Sequence, residues 1–274
     1  MKTIQLHNGL HVPMMALGTF RALDHEAYDA TLQAIQMGYR HIDTAHIYRN
    51  EEQVGQAIQD SGVPRKDLFI ATKVWPSDYG YESTLQAFQT SLDKLGLEYL
   101  DLYLLHWPRS YQENADSWRA LETLYSQGKV KAIGVCNFKI HHLEHLFETA
   151  LIKPMLNQIE FHVELQNIRL QEFCEAHGIY LEAYAPLLSK NVADIINNET
   201  LIQIGKKHNS SAAQIAIAWL LHRGAIVLPK SVNEKRLREN FDAEHITLDT
   251  EDMAAIRKLN KARRTFPDPD NTDF

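Results

Sequence analysis

From Met14 onward, short apolar runs alternate with helical stretches that close on glycine, and this repeat constrains the fold more than any other feature of the chain. Met14 to Gly18 reads as a strand. The helix after it takes Asp24 as N-cap, sets Ala27, Ala30, Ala34 and Met37 on one face, and stops at Gly38. The unit then recurs: strand His41–Ala45, helix Glu51–Ser61; strand Leu68–Val74, helix with Leu85, Phe88, Leu92 and Leu95; strand Tyr99–His106, helix with Trp118, Leu121 and Leu124. Strands Lys131–Asn137, Met155–Glu160, Tyr180–Pro186 and Ala225–Lys230 follow, with helices around Leu143–Phe147, Leu170–His177 and Ala213–Leu221, then near Glu234–Phe241 and Thr250–Leu259. The strands are apolar nearly throughout, as strands covered on both faces are.

Eight such units in roughly 260 residues predict an α/β fold of the (β/α)₈ TIM-barrel type, spanning residues 1–274 as one domain. An N-terminal β-hairpin, Thr3–Leu6 and Leu10–Val12 around His7-Asn8-Gly9, precedes the barrel, and an extra C-terminal helix follows it. The competing doubly wound sheet with a dinucleotide calls for Gly-x-Gly-x-x-Gly after an early strand, and the chain has none.

With 274 residues, of which 45% are hydrophobic, the chain can bury a large core without staples. A net charge of −7 and no basic run beyond Arg263-Arg264 argue against nucleic-acid binding. No apolar stretch approaches the ~20 residues of a membrane span, and the N-terminus lacks signal-peptide character, so a cytoplasmic protein is expected. The two cysteines, Cys136 and Cys174, form no disulfide framework or Cys-x-x-Cys clip.

In such barrels chemistry gathers where the strands end. Those positions read Asp43, Tyr48, Lys73, Trp75, His106, Trp107, Asn137, Gln158, Tyr184, Lys230 and Ser231. Singly, each has a plain explanation: a capping Asp, a solvated Lys, a satisfied core His, a packed Tyr ring. Together, Asp43, Tyr48, Lys73 and His106 fall on three adjacent barrel positions and form a set able to handle a proton.

The motifs His41-Ile42-Asp43-Thr44-Ala45 with Tyr48, Asn50 and Glu51, then Lys73-Val74-Trp75 and Leu104-Leu105-His106-Trp107-Pro108, resemble the aldo-keto reductase family. So do Gly134-Val135-Cys136-Asn137-Phe138, Asn157-Gln158-Ile159-Glu160, and Leu228-Pro229-Lys230-Ser231 through Arg236, Glu239 and Asn240. The resemblance implies reduction of small aldehydes and ketones with hydride from NADPH and the proton from Tyr48. Asp43, Lys73 and His106 act around Tyr48; the Lys73 ammonium is expected to lower the phenol's pKa, Asp43 to hold Lys73, and His106 to position the carbonyl oxygen. It also implies that Asn137 and Gln158 grip the nicotinamide carboxamide, Tyr184 stacks on its ring, Lys230, Ser231 and Arg236 receive the adenosine 2′-phosphate, and Glu239 and Asn240 contact adenine. Two cations and a hydroxyl suit a dianionic phosphate, which favours NADPH over NADH. Phe20, Trp75, Trp107 and the tail from Arg263 to Phe274 would wall the substrate pocket.

Cys136 and Ala185 stand where the family usually has Ser, and Leu187-Leu188-Ser189-Lys190 lacks a glycine often found there. The short tail is similar to that of prokaryotic members, among them reducers of methylglyoxal and 2,5-diketo-D-gluconate, so those substrates and aromatic aldehydes are the expected ones, with the enzyme a monomer. The family also contains non-catalytic regulatory and structural barrels, which is the alternative reading. Two further chemistries are set aside. His41 with His46 lacks the His-x-His of metal-dependent barrels, and His141, His142 and His145 read as a solvated helix face, so no metal is expected. Glycoside hydrolysis wants two facing carboxyl groups, and the Asp-Tyr-Lys-His set has no part in it.

Overall fold

In the computed structural model, which describes residues 1–272, a two-stranded hairpin precedes eight parallel strands that close into a barrel. The hairpin strands are β1 (Thr3–Gln5) and β2 (His11–Pro13). The barrel strands are β3 (Ala16–Gly18), β4 (His41–Asp43), β5 (Phe69–Val74), β6 (Leu100–Leu105), β7 (Val130–Cys136), β8 (Leu156–Glu160), β9 (Tyr180–Tyr184) and β10 (Ile226–Leu228), paired in chain order. Closure falls between β10 and β3: the Val227 amide donates to the Met14 carbonyl at 2.8 Å, and Gly18 donates to Pro229 at 3.2 Å. Gly18 serves that seam by its size, since a Cβ there would sit 3.2 Å from the Leu228 carbonyl oxygen.

The helices are α1 (Asp24–Met37), α2 (Glu51–Asp60), α3 (Tyr81–Leu95), α4 (Tyr111–Ser126), α5 (Ile140–Thr149), α6 (Ile168–Ala176), α7 (Val192–Ile196), α8 (Glu199–Lys207), α9 (Ala212–His222), α10 (Glu234–Asp242) and α11 (Thr250–Arg257). Each of the eight barrel strands is followed by a helix of the outer ring, β9 by α9, and α11 is the extra C-terminal helix. One expectation needs correction. Asp24 does not cap α1: it lies within the helix, and the N-cap position is Leu23, whose side chain makes no capping hydrogen bond. Helices α7, a single short turn, and α8, which Asn198 caps by accepting from the Leu201 amide at 3.1 Å, are inserted between β9 and α9 in addition to the repeat.

Alternate residues of every barrel strand point inward. At the N-terminal end the interior is apolar: Phe69, Leu102, Ala132, Leu156 and Ile226 pack with Leu6 and Val12 of the hairpin, which plugs the floor. A second apolar layer, built around Trp118, Trp219, Leu121 and Phe138, lies between sheet and helices. Going up the barrel, the inward residues turn polar: His41 and Asp43 on β4, Lys73 on β5, Gln158 on β8 and Glu182 on β9, all buried. Among the described residues no helix is long and apolar enough to cross a membrane.

Candidate active site

The four titratable residues expected to act together do converge. Lys73, buried without measurable exposure, donates to Asp43 Oδ1 at 2.6 Å and to the Thr44 carbonyl at 2.7 Å. Its ammonium lies 5.2 Å from the centre of the Tyr48 ring, which a 3₁₀ turn, His46–Tyr48, carries just beyond β4. Asn50 pins that turn by accepting from the Thr44 hydroxyl at 2.7 Å and donating to the carbonyls of Thr19 and Ala22. His106, at the end of β6, sets its ring edge-on to Tyr48 at 5.7 Å and to Trp75 at 5.0 Å.

Burial decides the protonation states. It pulls Lys73 down, but Asp43, Tyr48 and Cys136 pull it up, and the net shift is upward, so the ammonium stays charged. Burial pushes Asp43 up against the opposing pull of Lys73 and Gln158. Tyr48 corrects an expectation. Burial pushes its phenol up to about 12, and the Lys73 ammonium only tempers the rise. His106 is held well below its ordinary value by burial and then by Lys73, so the imidazole is neutral. The site therefore offers a protonated phenol and a neutral imidazole above a buried ion pair.

Around this centre the aromatic rings form a rim. Phe20 lies 5.1 Å from Tyr48 and 6.1 Å from Phe266, and Phe266 meets Tyr184 edge-on at 5.1 Å. Phe20 and Trp75 lie among these rings; Trp107 is buried beside His106, its carbonyl accepting from the Tyr79 hydroxyl at 2.7 Å. Of the expected tail wall, Phe266 makes these contacts, whereas Phe274 lies outside the described residues. Phe266 is placed by Glu160, a buried carboxylate at the end of β8. Glu160 accepts from the Thr265 amide at 2.6 Å, the Thr265 hydroxyl at 2.5 Å and the Phe266 amide at 3.3 Å.

On the far side of the barrel mouth, Tyr184 donates its hydroxyl to Asn137 Oδ1 at 2.8 Å, and Asn137 Nδ2 donates to the His106 carbonyl at 3.1 Å. Asn137 reaches this position in the left-handed region, φ 64°, which Asn tolerates better than most residues. Gln158 Nε2 donates to Asp43 Oδ2 at 3.0 Å and to Glu182 Oε2 at 2.8 Å. Cys136, in the position that is usually Ser, is a buried thiol of the barrel interior, its pKa pushed well up by burial. Ala185, Leu188 and Ser189 hold the loop after β9 in left-handed conformations without a glycine, with Leu188 fully buried.

Lys230 and Ser231 follow β10, and Arg236, Glu239 and Asn240 lie on α10, whose first turn is capped by Asn233 accepting from the Arg236 amide. A helix N-terminus beside cations is a ready anion site. Burial lowers the Lys230 pKa; Glu26 opposes this, and the positive charges of Arg236 and Arg21 reinforce it. Arg21 is thus a third cation of the group, missed in the sequence because it follows β3, far along the chain from Lys230. No ion pair involving Arg21, Lys230 or Arg236 occurs among the described residues. Asn240 is buried, and the Glu239 carbonyl accepts from Gln214 at 3.0 Å.

The histidine cluster differs from its expected form. His142 is buried, and His145 stacks on Tyr111 at 3.8 Å; only His141 faces solvent as a solvated helix face would. His141, His142 and Asp270 bring one ligand atom each within 4.8 Å of one another. The Lys139 amide, however, donates to His142 Nδ1 at 3.1 Å, so the ring proton sits on Nε2, facing Asp270 Oδ1 at 3.4 Å. A metal on that Nε2 would need the opposite tautomer. The cluster instead clamps the tail, with Lys139 also paired to Asp268 and, at 2.6 Å, to Asp270.

A closed parallel barrel with a Tyr-Lys-Asp-His centre at its C-terminal mouth defines an enzyme-like barrel. Residues 14–261 match the aldo/keto reductase family, and the chain belongs to that family of oxidoreductases. It is 50% identical to the glyoxal reductase of Bacillus subtilis over 99% of this chain and 98% of that one. It is 49% identical to the 9,11-endoperoxide prostaglandin H2 reductase of Trypanosoma cruzi, covering 98% and 95%. Likeness therefore runs across bacterial and eukaryotic members rather than to the prokaryotic subtype alone. Among solved structures, MGS-M4, an aldo-keto reductase from a deep-sea metagenome, superposes with a TM-score of 0.98 at 51% identity, covering both chains completely. A Gox0644 mutant in complex with NADPH gives 0.94 at 38% identity, covering 100% of this chain and 99% of that one.

Proposed function

We propose that the chain is an NADPH-dependent reductase of small aldehydes and ketones, with α-dicarbonyls such as methylglyoxal, aromatic aldehydes and 2,5-diketo-D-gluconate as the substrates to test. One observation carries the reading: a buried Lys73–Asp43 ion pair lies beneath a protonated Tyr48 phenol, with the neutral imidazole of His106 across the same opening. The B. subtilis relative named for glyoxal reduction and the NADPH complex of a solved neighbour support the same class of reaction and cofactor.

The dinucleotide, when bound, supplies hydride to the carbonyl carbon. Negative charge then develops on the carbonyl oxygen and must be met by a donor already in place. Tyr48 gives its phenolic proton to that oxygen. Lys73, held charged by Asp43, stabilises the phenolate left behind through a low-dielectric gap, so the transfer needs no solvent rearrangement. His106, neutral, can orient the carbonyl as a hydrogen-bond donor but cannot act as a strong acid at neutral pH.

The residues present fit the cofactor on their own chemistry. Gln158 has spent both amide hydrogens on the carboxyl groups of Asp43 and Glu182, which leaves its carbonyl oxygen to meet a ligand, the complement of a carboxamide NH₂. Arg21, Lys230 and Arg236 gather positive charge beside the capped N-terminus of α10, the complement of the adenosine 2′-phosphate. The aromatic rim offers contact area rather than directional bonds, which suits small carbonyl compounds of varied shape.

The direct test is consumption of NADPH with methylglyoxal and with a simple aromatic aldehyde, alongside titration of NADPH and NADH binding. Turnover with either carbonyl upholds the reading; tight NADPH binding without turnover would favour the non-catalytic alternative. Lys230→Met combined with Arg236→Ala should weaken NADPH at least tenfold more than NADH, since each charge-assisted hydrogen bond removed is worth roughly 1.5–3 kcal/mol. Equal loss for both dinucleotides would place the phosphate elsewhere.

A further inference from the structure

Beneath the catalytic centre lie two titratable groups that the proposed chemistry does not use. Glu182 on β9 and His41 on β4 are both fully buried, with Glu182 Oε1 3.5 Å from His41 Nε2. Neither atom makes a hydrogen bond with any of the described residues, so each is left facing the other. The other ring nitrogen, His41 Nδ1, faces the Pro13 carbonyl at 3.1 Å. A carbonyl only accepts, so Nδ1 carries a proton and a neutral ring presents the lone pair of Nε2 to Glu182. Attraction across that gap then requires one proton between the two groups.

Charge balance places the proton on Glu182. The groups around it are Asp43 and His41 from β4, Lys73 from β5, Cys136 from β7 and Gln158 from β8; β10 sets only Ile226 opposite it. Among the described residues Lys73 is the one cation in this enclosure, and it is already paired with Asp43. A second ionised carboxylate would be an uncompensated buried charge. Burial and then the Asp43 charge push Glu182 up to about 8, while burial holds His41 down to about 4, in keeping with a neutral acid facing a neutral imidazole.

We infer that Glu182, a carboxylic acid that faces His41 and accepts from Gln158, is a positioning residue that fixes which end of the Gln158 amide faces the cofactor, and thereby selects a carboxamide over a carboxylate on the pyridine ring. With Glu182 Oε2 and Asp43 Oδ2 taking both hydrogens of Gln158 Nε2, the Gln158 carbonyl oxygen is obliged to point toward the ligand. That oxygen accepts from an amide NH₂ and repels a carboxylate. Without Glu182, one hydrogen of Gln158 loses its acceptor and the amide can turn over, exposing NH₂ to the ligand. The inference rests on the nicotinamide-binding reading above and goes beyond it by naming the residue that sets the preference.

The experiment compares the binding of NADP⁺, of its nicotinic-acid counterpart, and of 2′-phospho-ADP-ribose, which lacks the pyridine ring. The unmodified protein should favour NADP⁺ over the nicotinic-acid form by tenfold or more, on the order of one hydrogen bond to a buried group. Glu182→Leu should collapse this ratio while leaving the ring-less fragment's affinity unchanged. Glu182→Gln keeps an acceptor for Gln158 and a donor for His41, and should restore the ratio. A ratio that survives Glu182→Leu, or one that Glu182→Gln abolishes, would overturn the inference. Infrared difference spectra decide the same point if Glu182→Leu does not fold: the unmodified protein should show a protonated carboxylic acid band that Glu182→Gln lacks, and absence of that band would overturn it too. Failure of the cofactor reading itself looks different, because the unmodified protein would then bind neither dinucleotide.

Discussion

Tyr48 illustrates how one residue takes its properties from what surrounds it. In water a phenol would ionise near pH 10; here burial raises that to about 12, with Lys73 restraining the rise. The phenol therefore stays protonated across the neutral range, as the proposed reduction requires. Tyr48→Phe removes the donor and should lower turnover by about 10²–10⁴-fold, the usual scale for a general acid, with NADPH affinity retained. In the proposed chemistry the reverse reaction, alcohol oxidation with NADP⁺, draws on the phenolate, so its rate should climb about tenfold per pH unit while pH lies below the Tyr48 pKa. Steady-state rates in both directions across pH check both statements; a pH-independent oxidation would show that another group takes the proton.

At the scale of elements, the tail is the piece least secured by the core and most secured by charge. Glu160 receives its Thr265 and Phe266 amides, Glu164 pairs with Lys261 and Arg263, and Lys139 pairs with Asp268 and Asp270. Glu160→Ala strips the Thr265 and Phe266 amides of their acceptor. It should speed amide hydrogen exchange in the tail and shift KM more than kcat, because Phe266 forms part of the aromatic rim. Unchanged tail exchange would mean the remaining ion pairs suffice. Packing between elements is less forgiving. Gly55 of α2 lets the end of α3 come so close that a Cβ would stand 2.3 Å from the Leu95 carbonyl oxygen, a backbone atom that cannot yield cheaply. Gly55→Ala should therefore destabilise by roughly 1–3 kcal/mol despite Ala's better helix propensity. A thermal melt at or above the unmodified Tm would contradict this.

For the whole molecule, the polar column inside the barrel links function to stability. Glu182 has a folded pKa of about 8, well above the 4.5 of a free glutamic acid, so between those values the folded state holds a proton that the unfolded chain has released. Stability contributed by this group is full below the unfolded pKa and declines as pH rises toward 8. Glu182→Gln has no such proton and should lose less stability over the same interval. Denaturant midpoints of the two proteins from pH 5 to 8 test this, and parallel curves would show that Glu182 is ionised in the fold.

Much of this architecture was legible in the linear chain. Alternating apolar strands and glycine-closed helices specify a barrel because both periods are local, and the Asp43, Tyr48, Lys73 and His106 centre could be read because each residue lies at or just beyond the end of a strand. What the sequence could not supply were relations across the barrel. His41 and Glu182 are 141 positions apart and meet only because β4 and β9 enclose one interior; the alternation on β9 placed Glu182 on the inward face with Tyr184, but not its partner. Arg21 joins Lys230 and Arg236 only where the barrel closes between its first and last strands. The direction of the Tyr48 shift also lay outside the sequence, since burial and a neighbouring charge oppose each other and only their distances decide which prevails. The chain by itself determined which elements form and which chemical groups crown the strands, through local periodicity and residue type. Tertiary structure alone decided which of those groups are dry, which are paired and where each proton resides.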